Sequence, residues 1–202
     1  MAVSLEHHYP TLTVTSEPAT EPVTAAEALF YAQYEGGDAD STTLMTALVK
    51  AARRMVERDA SVALITQTRA AKFSRFPSGE WQHFPVRPVS AAVVTYLDDE
   101  GDSQTWSSSL WQLDTYSIPP RVGPVDGETW PSTQTGTFNA VTFSLTCGYG
   151  SASSVPEEAK LAIKLLAREW FYNRCPTGEV GSGIQVAYGA MINLLSWRPV
   201  NL

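Results

Sequence analysis

Apolar residues in the first third of the chain recur at three- and four-residue steps, the spacing of one face of an α-helix. The positions that carry this pattern are Leu44, Met45, Leu48, Val49, Ala52, Met55 and Val56. Charged residues such as Arg53 fall between them, which predicts an amphipathic helix over residues 41–58 whose charged face is solvated or meets another subunit. Thr24 and Glu27 have the spacing of a capping box and Gly36 follows, which predicts a shorter helix over residues 24–35.

The C-terminal third carries a second helical stripe, made by Leu161, Ala162, Leu165, Leu166 and Trp170. Pro156 suits the first turn of a helix because the amide that it lacks would be unpaired there, and the glutamates that follow it favour the positive end of the helix dipole. These features predict a helix over residues 156–174. A glycine-containing loop and a last apolar segment follow, and they predict a helix over residues 187–196.

Between these helices the apolar period changes to two, the period of β-strands. The runs rich in β-forming residues span 64–76, 81–86, 89–97, 110–116 and 140–146. The acidic string Asp98–Asp102 has the residues of a hairpin tip, and several prolines and glycines make 117–139 an irregular connection. The pattern therefore predicts an α+β fold, in which a small helical bundle carries an antiparallel β-sheet insertion at residues 64–147.

The two ends of the chain differ from this core. Residues 1–23 contain three prolines and many Ser and Thr without an apolar period, which predicts an extended N-terminal arm that is ordered only when a partner holds it. The C-terminal tail has the composition of an interface anchor, and a frayed end is the alternative. The tail residues are Trp197, Arg198, Pro199, Val200, Asn201 and Leu202.

Composition limits the class of function. The 202 residues are 44% hydrophobic, which is sufficient for a buried core, and 14 basic against 21 acidic residues give a net charge of −7. This charge argues against duplex DNA binding by phosphate neutralisation. Neither a secretory leader nor an apolar run of membrane-spanning length is recognisable, which predicts a protein that is neither exported by that route nor inserted in a membrane.

The sequence offers little chemistry. Its histidines are His7, His8 and His83, and no phosphate loop, nucleophile elbow or zinc-protease motif is present. The Asp98–Asp102 string lacks the ligand spacing of a calcium loop, and Cys147 and Cys175 are too far apart for a zinc-ligand pair, so both are predicted to be reduced structural thiols. We expect no catalytic residues, no metal and no cofactor.

A series of segments, taken in order, resembles the head-to-tail connector (adaptor) proteins of long-tailed double-stranded DNA bacteriophages. The resemblance covers residues 24–199, which it identifies as an adaptor domain. The matching segments are Leu44 to Val56, Leu64 to Thr68, Pro85 to Tyr96, Asp98 to Gly101, Tyr116, Trp130 with Pro131, Ala140 to Phe143, Cys147 to Gly150, Val155 with Pro156, and Trp170 to Arg174.

The resemblance implies a structural subunit of the virion neck, assembled in the host cytoplasm. Such adaptors form a ring, commonly dodecameric, under the portal, extend the DNA channel without sequence-specific DNA binding, and join the head to stopper or tail-completion proteins. Their C-terminal segment tends to reach the portal, so the tail Trp197–Leu202 is the expected portal-binding segment. An acidic chain suits a channel through which DNA must slide.

Two alternatives stay open. The chain could be a stopper or tail-completion protein of the same neck. From a different class, it could be a β-rich carbohydrate-binding module that uses tryptophans as stacking platforms. The candidate platforms are Trp81, Trp106, Trp111 and Trp130.

Overall fold

The computed structural model describes residues 12–36, 38–173 and 182–196. The chain folds as two compact units. One is helical and comprises Pro18–Thr66 with the chain from Gly148 onward, and the other is a sheet unit that comprises Gln67–Cys147 with a strand from the N-terminal region. The predicted α+β class, with antiparallel strands inserted between helices, is confirmed.

In its described residues, the helical unit contains four α-helices. They are α1 (Ala25–Tyr31), α2 (Ala39–Ala60), α3 (Glu157–Asn173) and α4 (Ser182–Leu195), with a short 3-10 turn at Ala152–Ser154. The buried faces of α2 and α3 supply most of the core, through Met45, Val49, Ala52, Val56, Ala159, Ala162, Ile163 and Leu166. The apolar period predicted the four buried residues of α2, and Ala162 and Leu166 of α3. It was wrong for Leu44 and Leu161, which are 37% and 39% exposed, and it did not include Ala159 and Ile163.

Helix α1 ends earlier than residue 35, its predicted end. Its last residue is Tyr31, and Gln33 adopts a positive φ of 57° while its N–H donates to the carbonyl of Phe30. Helix α4 begins at Ser182, five residues before the expected start, because Gly183 lies inside the helix and not in the preceding loop.

The N-termini of α1 and α2 are both capped by side chains. Thr24 and Glu27 form the predicted capping box, in which the Thr24 hydroxyl accepts from the Glu27 N–H at 3.2 Å and the Glu27 carboxylate accepts from the Thr24 N–H at 2.7 Å. Asp38 caps α2 by accepting from the Ser41 N–H at 2.7 Å, so the helix begins at Ala39, two residues before the predicted start at residue 41. This hydrogen bond, with others from Tyr34 and the Ser41 hydroxyl, lowers the pKa of Asp38 from 3.8 to about 2.

Arg53 lies on the charged side of α2 but is not solvated, since only 1% of its surface is exposed. Its Nε lies 2.6 Å from Glu21 Oε2, and its Nη1 lies 3.0 Å from Glu57 Oε2. The other oxygen of Glu57 accepts from the Leu64 N–H at 2.8 Å. The expectation of a solvated or subunit-facing side chain is therefore wrong for Arg53. This residue instead forms buried ion pairs that link three segments of the helical unit.

From residue 12 onward, the sheet unit contains eight strands in two antiparallel sheets. The strands are β1 (Leu12–Ser16), β2 (Gln67–Phe73), β3 (Gln82–His83), β4 (Val89–Leu97), β5 (Ser103–Thr105), β6 (Trp111–Asp114), β7 (Arg121–Pro124) and β8 (Val141–Cys147). Five strands lie in the order β1-β2-β8-β4-β5, and three lie in the order β3-β7-β6. Strand β8 pairs along its length with β2 and β4, and buries every second residue, from Val141 to Cys147.

Two strands lie where the sequence predicted irregular chain. Residues Leu12–Ser16, inside the expected arm, form edge strand β1 on β2, so this segment is ordered by the chain's own sheet and not by a partner. Strand β7 lies inside the expected connection 117–139 and contains Gly123. A Cβ at this glycine would stand 2.4 Å from the Glu80 carbonyl oxygen and 2.5 Å from the Trp81 ring, so the close packing there requires glycine.

We predict that replacing Arg53 by Met destabilises the protein by about 3–5 kcal/mol, because two carboxylates would be left near or inside the helical core without their cation. Urea unfolding followed by far-UV circular dichroism measures the loss. Lys50→Met is the matched control, since Lys50 is an exposed cation on the same helix and its loss should change the free energy of unfolding little. Equal stabilities for the two variants would contradict the prediction.

We also predict a pH dependence at the start of α2. The folded-state pKa of Asp38, about 2, lies below its ordinary value of 3.8, so its charge stabilises the fold above that ordinary value, and the contribution is lost as pH falls toward 2. The stability difference between the wild type and Asp38→Asn should therefore be present at pH 6 and shrink steadily below pH 4. An unchanged difference across this range would show that the charge of Asp38 is not responsible.

Candidate assembly surfaces

Helix α4 presents an apolar surface that the described chain leaves uncovered. The helix has no charged residue, alone among the four described helices. Among the side chains described in residues 183–195, only Ile192 and Leu195 are buried, where the helix packs on α3 and α2, whereas Val186 is 73% and Leu194 is 74% exposed. A helix that is apolar around most of its circumference is normally covered, so this surface is a candidate for contact with another molecule.

The helical unit also exposes Phe30 on α1, with 86% of the surface of this residue exposed. The opposite side of this short helix is anchored by Ala28 and Leu29, which are buried. The chain beyond the helix is also held, because the Tyr172 hydroxyl donates to the Ala32 carbonyl at 2.8 Å. Phe30 is therefore an aromatic side chain presented to solvent from a fixed backbone.

The sheet unit presents two further aromatic residues on its loops, Tyr116 at 96% and Phe138 at 86% exposure. The turn that carries Tyr116 is organised by Asp114, which accepts hydrogen bonds from the Tyr116 N–H, the Ser117 N–H and hydroxyl, and Arg121 Nε. These bonds, first among them that of the Ser117 hydroxyl, hold the pKa of the Asp114 carboxyl well below its usual range.

The residues considered for chemistry lie apart from one another. His83 is half-buried on β3, and its Nδ1 has no hydrogen-bond partner within the described part of the chain. Asp98 closes its own hairpin by accepting from the Asp102 N–H and from Gln104, and these bonds, that of Gln104 foremost, lower its pKa. Among residues 12–36, 38–173 and 182–196, no group of three or more His, Cys, Asp or Glu is arranged to hold a metal ion.

Several sequence-based candidates fall elsewhere. The tail Trp197–Leu202 and residues His7, His8 and Cys175 lie outside the described residues. Cys147 is a free thiol buried in β8, where it donates to the Leu145 carbonyl. Within the described segments, no helix combines the length and apolar character that crossing a bilayer requires.

The four tryptophans do not form a row of platforms. Trp106 and Trp111 are buried, and Trp130 stacks on Phe76 with ring centroids 5.0 Å apart. Trp81 lies under the Arg121 guanidinium, which is 4.6 Å from the ring centroid. Trp81 and Trp130 do line an open cleft of about 430 Å³, together with the carboxylates of Glu80, Asp126 and Glu128.

The exposed residues were not predictable as a surface from the sequence. Phe30 and Val186 belong to apolar stretches, and periodicity cannot tell a residue that meets the core from one that meets another molecule. The absence of charge along α4 was the one available signal, because a solvated helix face normally carries charged residues.

No protein-family model and no curated protein sequence matches the chain significantly. Among the chains of solved structures that are similar to this one, three are each 21% identical to it.

The first, from the neck of an empty GTA particle computed with C6 symmetry, has a TM-score of 0.78 and covers 95% of this chain and 98% of its own. The second, from the virion of a native gene transfer agent (GTA) particle, has a TM-score of 0.76 with the same coverage. The third, from the neck of a native GTA particle computed with C12 symmetry, has a TM-score of 0.68 and covers 93% and 98%. Over nearly its whole length, the chain shares its fold with these particle chains.

Proposed function

We propose that this protein is a structural subunit of the neck of a tailed, phage-like virion, and that it works by binding other proteins and not by catalysis. Within the neck, we assign it the role of an adaptor that forms a ring under the portal, extends the DNA channel and joins the head to stopper or tail proteins. The observation that carries the proposal is the near full-length likeness in fold to a chain from the neck of a GTA particle, with a TM-score of 0.78.

The ring is supported by two observations of different kinds. Two of the similar chains come from neck structures computed with C6 and C12 symmetry, in which subunits repeat around an axis. This chain also exposes large apolar side chains on helices whose other faces are buried, at Phe30, Val186 and Leu194. Subunits of a ring need such uncovered surfaces, because each copy must contact two neighbours.

The channel is supported by charge. The chain has a net charge of −7, and a ring multiplies this charge by its number of copies. Like charges repel the phosphate backbone, so DNA would pass such a ring without the strong, non-specific adhesion that a basic surface produces. Sequence-specific DNA binding plays no part in this proposal.

The adaptor role, as opposed to a stopper or tail-completion role, is supported by the order of the family-like segments. Several of these segments occupy defined structural positions, including α2, β4, β8 and the chain between β8 and α3. In that last segment Gly148 has a φ of 125°, and a Cβ there would stand 2.5 Å from the Ile65 carbonyl group. The resemblance thus includes a glycine that this fold requires.

The carbohydrate-binding alternative has weaker support. Burial of Trp106 and Trp111 leaves two of the four tryptophans at the cleft, and Trp130 already stacks on Phe76. A sugar-binding row needs exposed ring faces, and the structure uses these rings mainly as core.

Co-purification with the portal protein of the same virus tests the adaptor role. We expect the full-length chain to bind as a multimer, seen by mass measurement of the complex, and a truncation that ends at Ser196 to lose binding because it lacks the tail Trp197–Leu202. A full-length Trp197→Ser variant keeps the chain length and should also bind more weakly, which separates loss of tail side chains from shortening of the chain. Binding by the truncation would contradict the role of the tail, and a chain that binds only tail-side proteins would be a stopper or tail-completion subunit.

Tryptophan fluorescence tests the alternative. Addition of soluble chitin or cellulose oligosaccharides should leave the emission of the protein unchanged, because the proposed function includes no sugar site. A saturable change that disappears in a Trp81→Phe variant would instead identify the cleft as a sugar-binding site and contradict the proposal.

A further inference from the structure

We propose that copies of this chain contact each other head to tail, with Phe30 on α1 of one copy inserted between Val186 and Leu194 on α4 of the next. The inference rests on the proposed ring and specifies the two surfaces that form it. We call Val186, Ala190 and Leu194 the α4 row.

The α4 row lies along one side of its helix, because its members are four residues apart and such residues stand one above another. All three are exposed, and the adjacent exposed residue Asn193 is polar but uncharged. The helix has 14 residues and is therefore about 21 Å long, which is sufficient for one helix-to-helix contact. Nothing within the described chain covers this side.

The shape of the α4 row suits an inserted ring. Ala190 stands between the larger side chains of Val186 and Leu194, about 6 Å along the helix axis from each, and is smaller than either. Gly183 and Gly189 also lie in α4, and an added Cβ at either position would meet no atom within 4 Å. A glycine inside a helix destabilises the helix by about 1 kcal/mol relative to alanine. Gly183 and Gly189 therefore do not stabilise α4, but they leave space beside it for a close neighbour.

Phe30 has the properties of the inserted residue. It is 86% exposed on a helix that is held by a capping box at its start and by the Tyr172 hydroxyl at its end. Ala26, one turn earlier on the same side, is small and exposed, so it leaves the ring accessible. Nearby Glu27 directs its carboxylate to the Thr24 N–H. Aromatic residues that fill a pocket on a partner are the usual anchors of interfaces.

Charge favours a second copy as the occupant. Every copy carries −7, so two copies can approach closely only through surfaces that add little charge to the contact. The α4 row meets this condition, because α4 has no charged residue, and so does the Phe30 ring. The α4 row offers an ion pair neither to an acidic partner nor to a basic one, because α4 has no charged side chain.

The arrangement of the two surfaces predicts a ring. They are different patches on the same helical unit, so a contact between them is heterologous, and repetition of a heterologous contact closes a ring when the rotation allows it. A contact between two α4 rows would be isologous and would stop at a dimer. The head-to-tail contact is therefore the one that the proposed function needs.

Ring assembly by variants tests the inference, with the portal added if the wild type alone stays monomeric. Phe30→Ser, and separately Val186→Ser with Leu194→Ser, should each raise the concentration needed for half-assembly by about thirtyfold, the loss expected for an interface anchor. Leu44→Ser on α2 and Leu161→Ser on α3 are the controls, because these exposed aliphatic residues of the helical unit belong to neither proposed surface. They should assemble like the wild type, and circular dichroism should show all variants folded.

Mixing the two defective variants tests the direction of the contact. Each retains one intact surface, so the mixture should form a 1:1 dimer by native mass spectrometry and grow no further. Self-association of the Phe30→Ser variant into dimers through α4 would overturn the head-to-tail arrangement, and normal rings from either variant would overturn the inference while leaving the proposed function intact. A wild type that forms no ring even with the portal would instead contradict the proposed function.

Discussion

The helical unit depends on the pairing of one buried cation, the Arg53 guanidinium, with two carboxylates. Glu21 reaches it from the segment before α1, and Glu57 reaches it from one turn further along α2. The second oxygen of Glu57 then holds the Leu64 N–H. Since a buried charge without a partner costs several kcal/mol, these segments cannot separate without a large loss of stability. Apolar packing between α2 and α3 adds to these ion pairs and forms the core of the helical unit.

The sheet unit depends on apolar and aromatic packing instead. Strand β8 is paired on both sides and directs Val141, Phe143, Leu145 and Cys147 to the interior. Aromatic rings gather around Phe143 at centroid distances of 5.2 to 6.2 Å, and include Phe73, Phe76, Phe84 and Trp130. Aromatic pairs at such distances contribute about 0.5–1.5 kcal/mol beyond burial. This explains why most tryptophans of the unit support the fold and are not free to bind a ligand.

The large apolar residues that stay exposed are informative, because the chain does not use them in its own core. Phe30, Tyr116, Phe138, Val186 and Leu194 are large apolar residues whose burial would stabilise the chain, yet each is at least half exposed. Their backbones are held by caps, turns or packed helices, so the exposure is built into the fold. In an acidic protein with the fold of particle-neck chains, such surfaces favour contacts between proteins over chemistry on a small molecule.

The sequence by itself determined the fold class, the long helices α2 and α3, the capping box at Thr24 and the strand segments β4 and β8, because all of these follow from residue spacings of a few positions. Tertiary structure decided the rest. Arg53 is buried because Glu21, 32 residues away, meets it. Leu12–Ser16 is a strand because β2 supplies its hydrogen bonds, and Gly123 belongs to a strand because Trp81 packs against it. Local periodicity cannot encode a partner that is distant along the chain, and for the same reason it could not show that Phe30 and the α4 row would face outward.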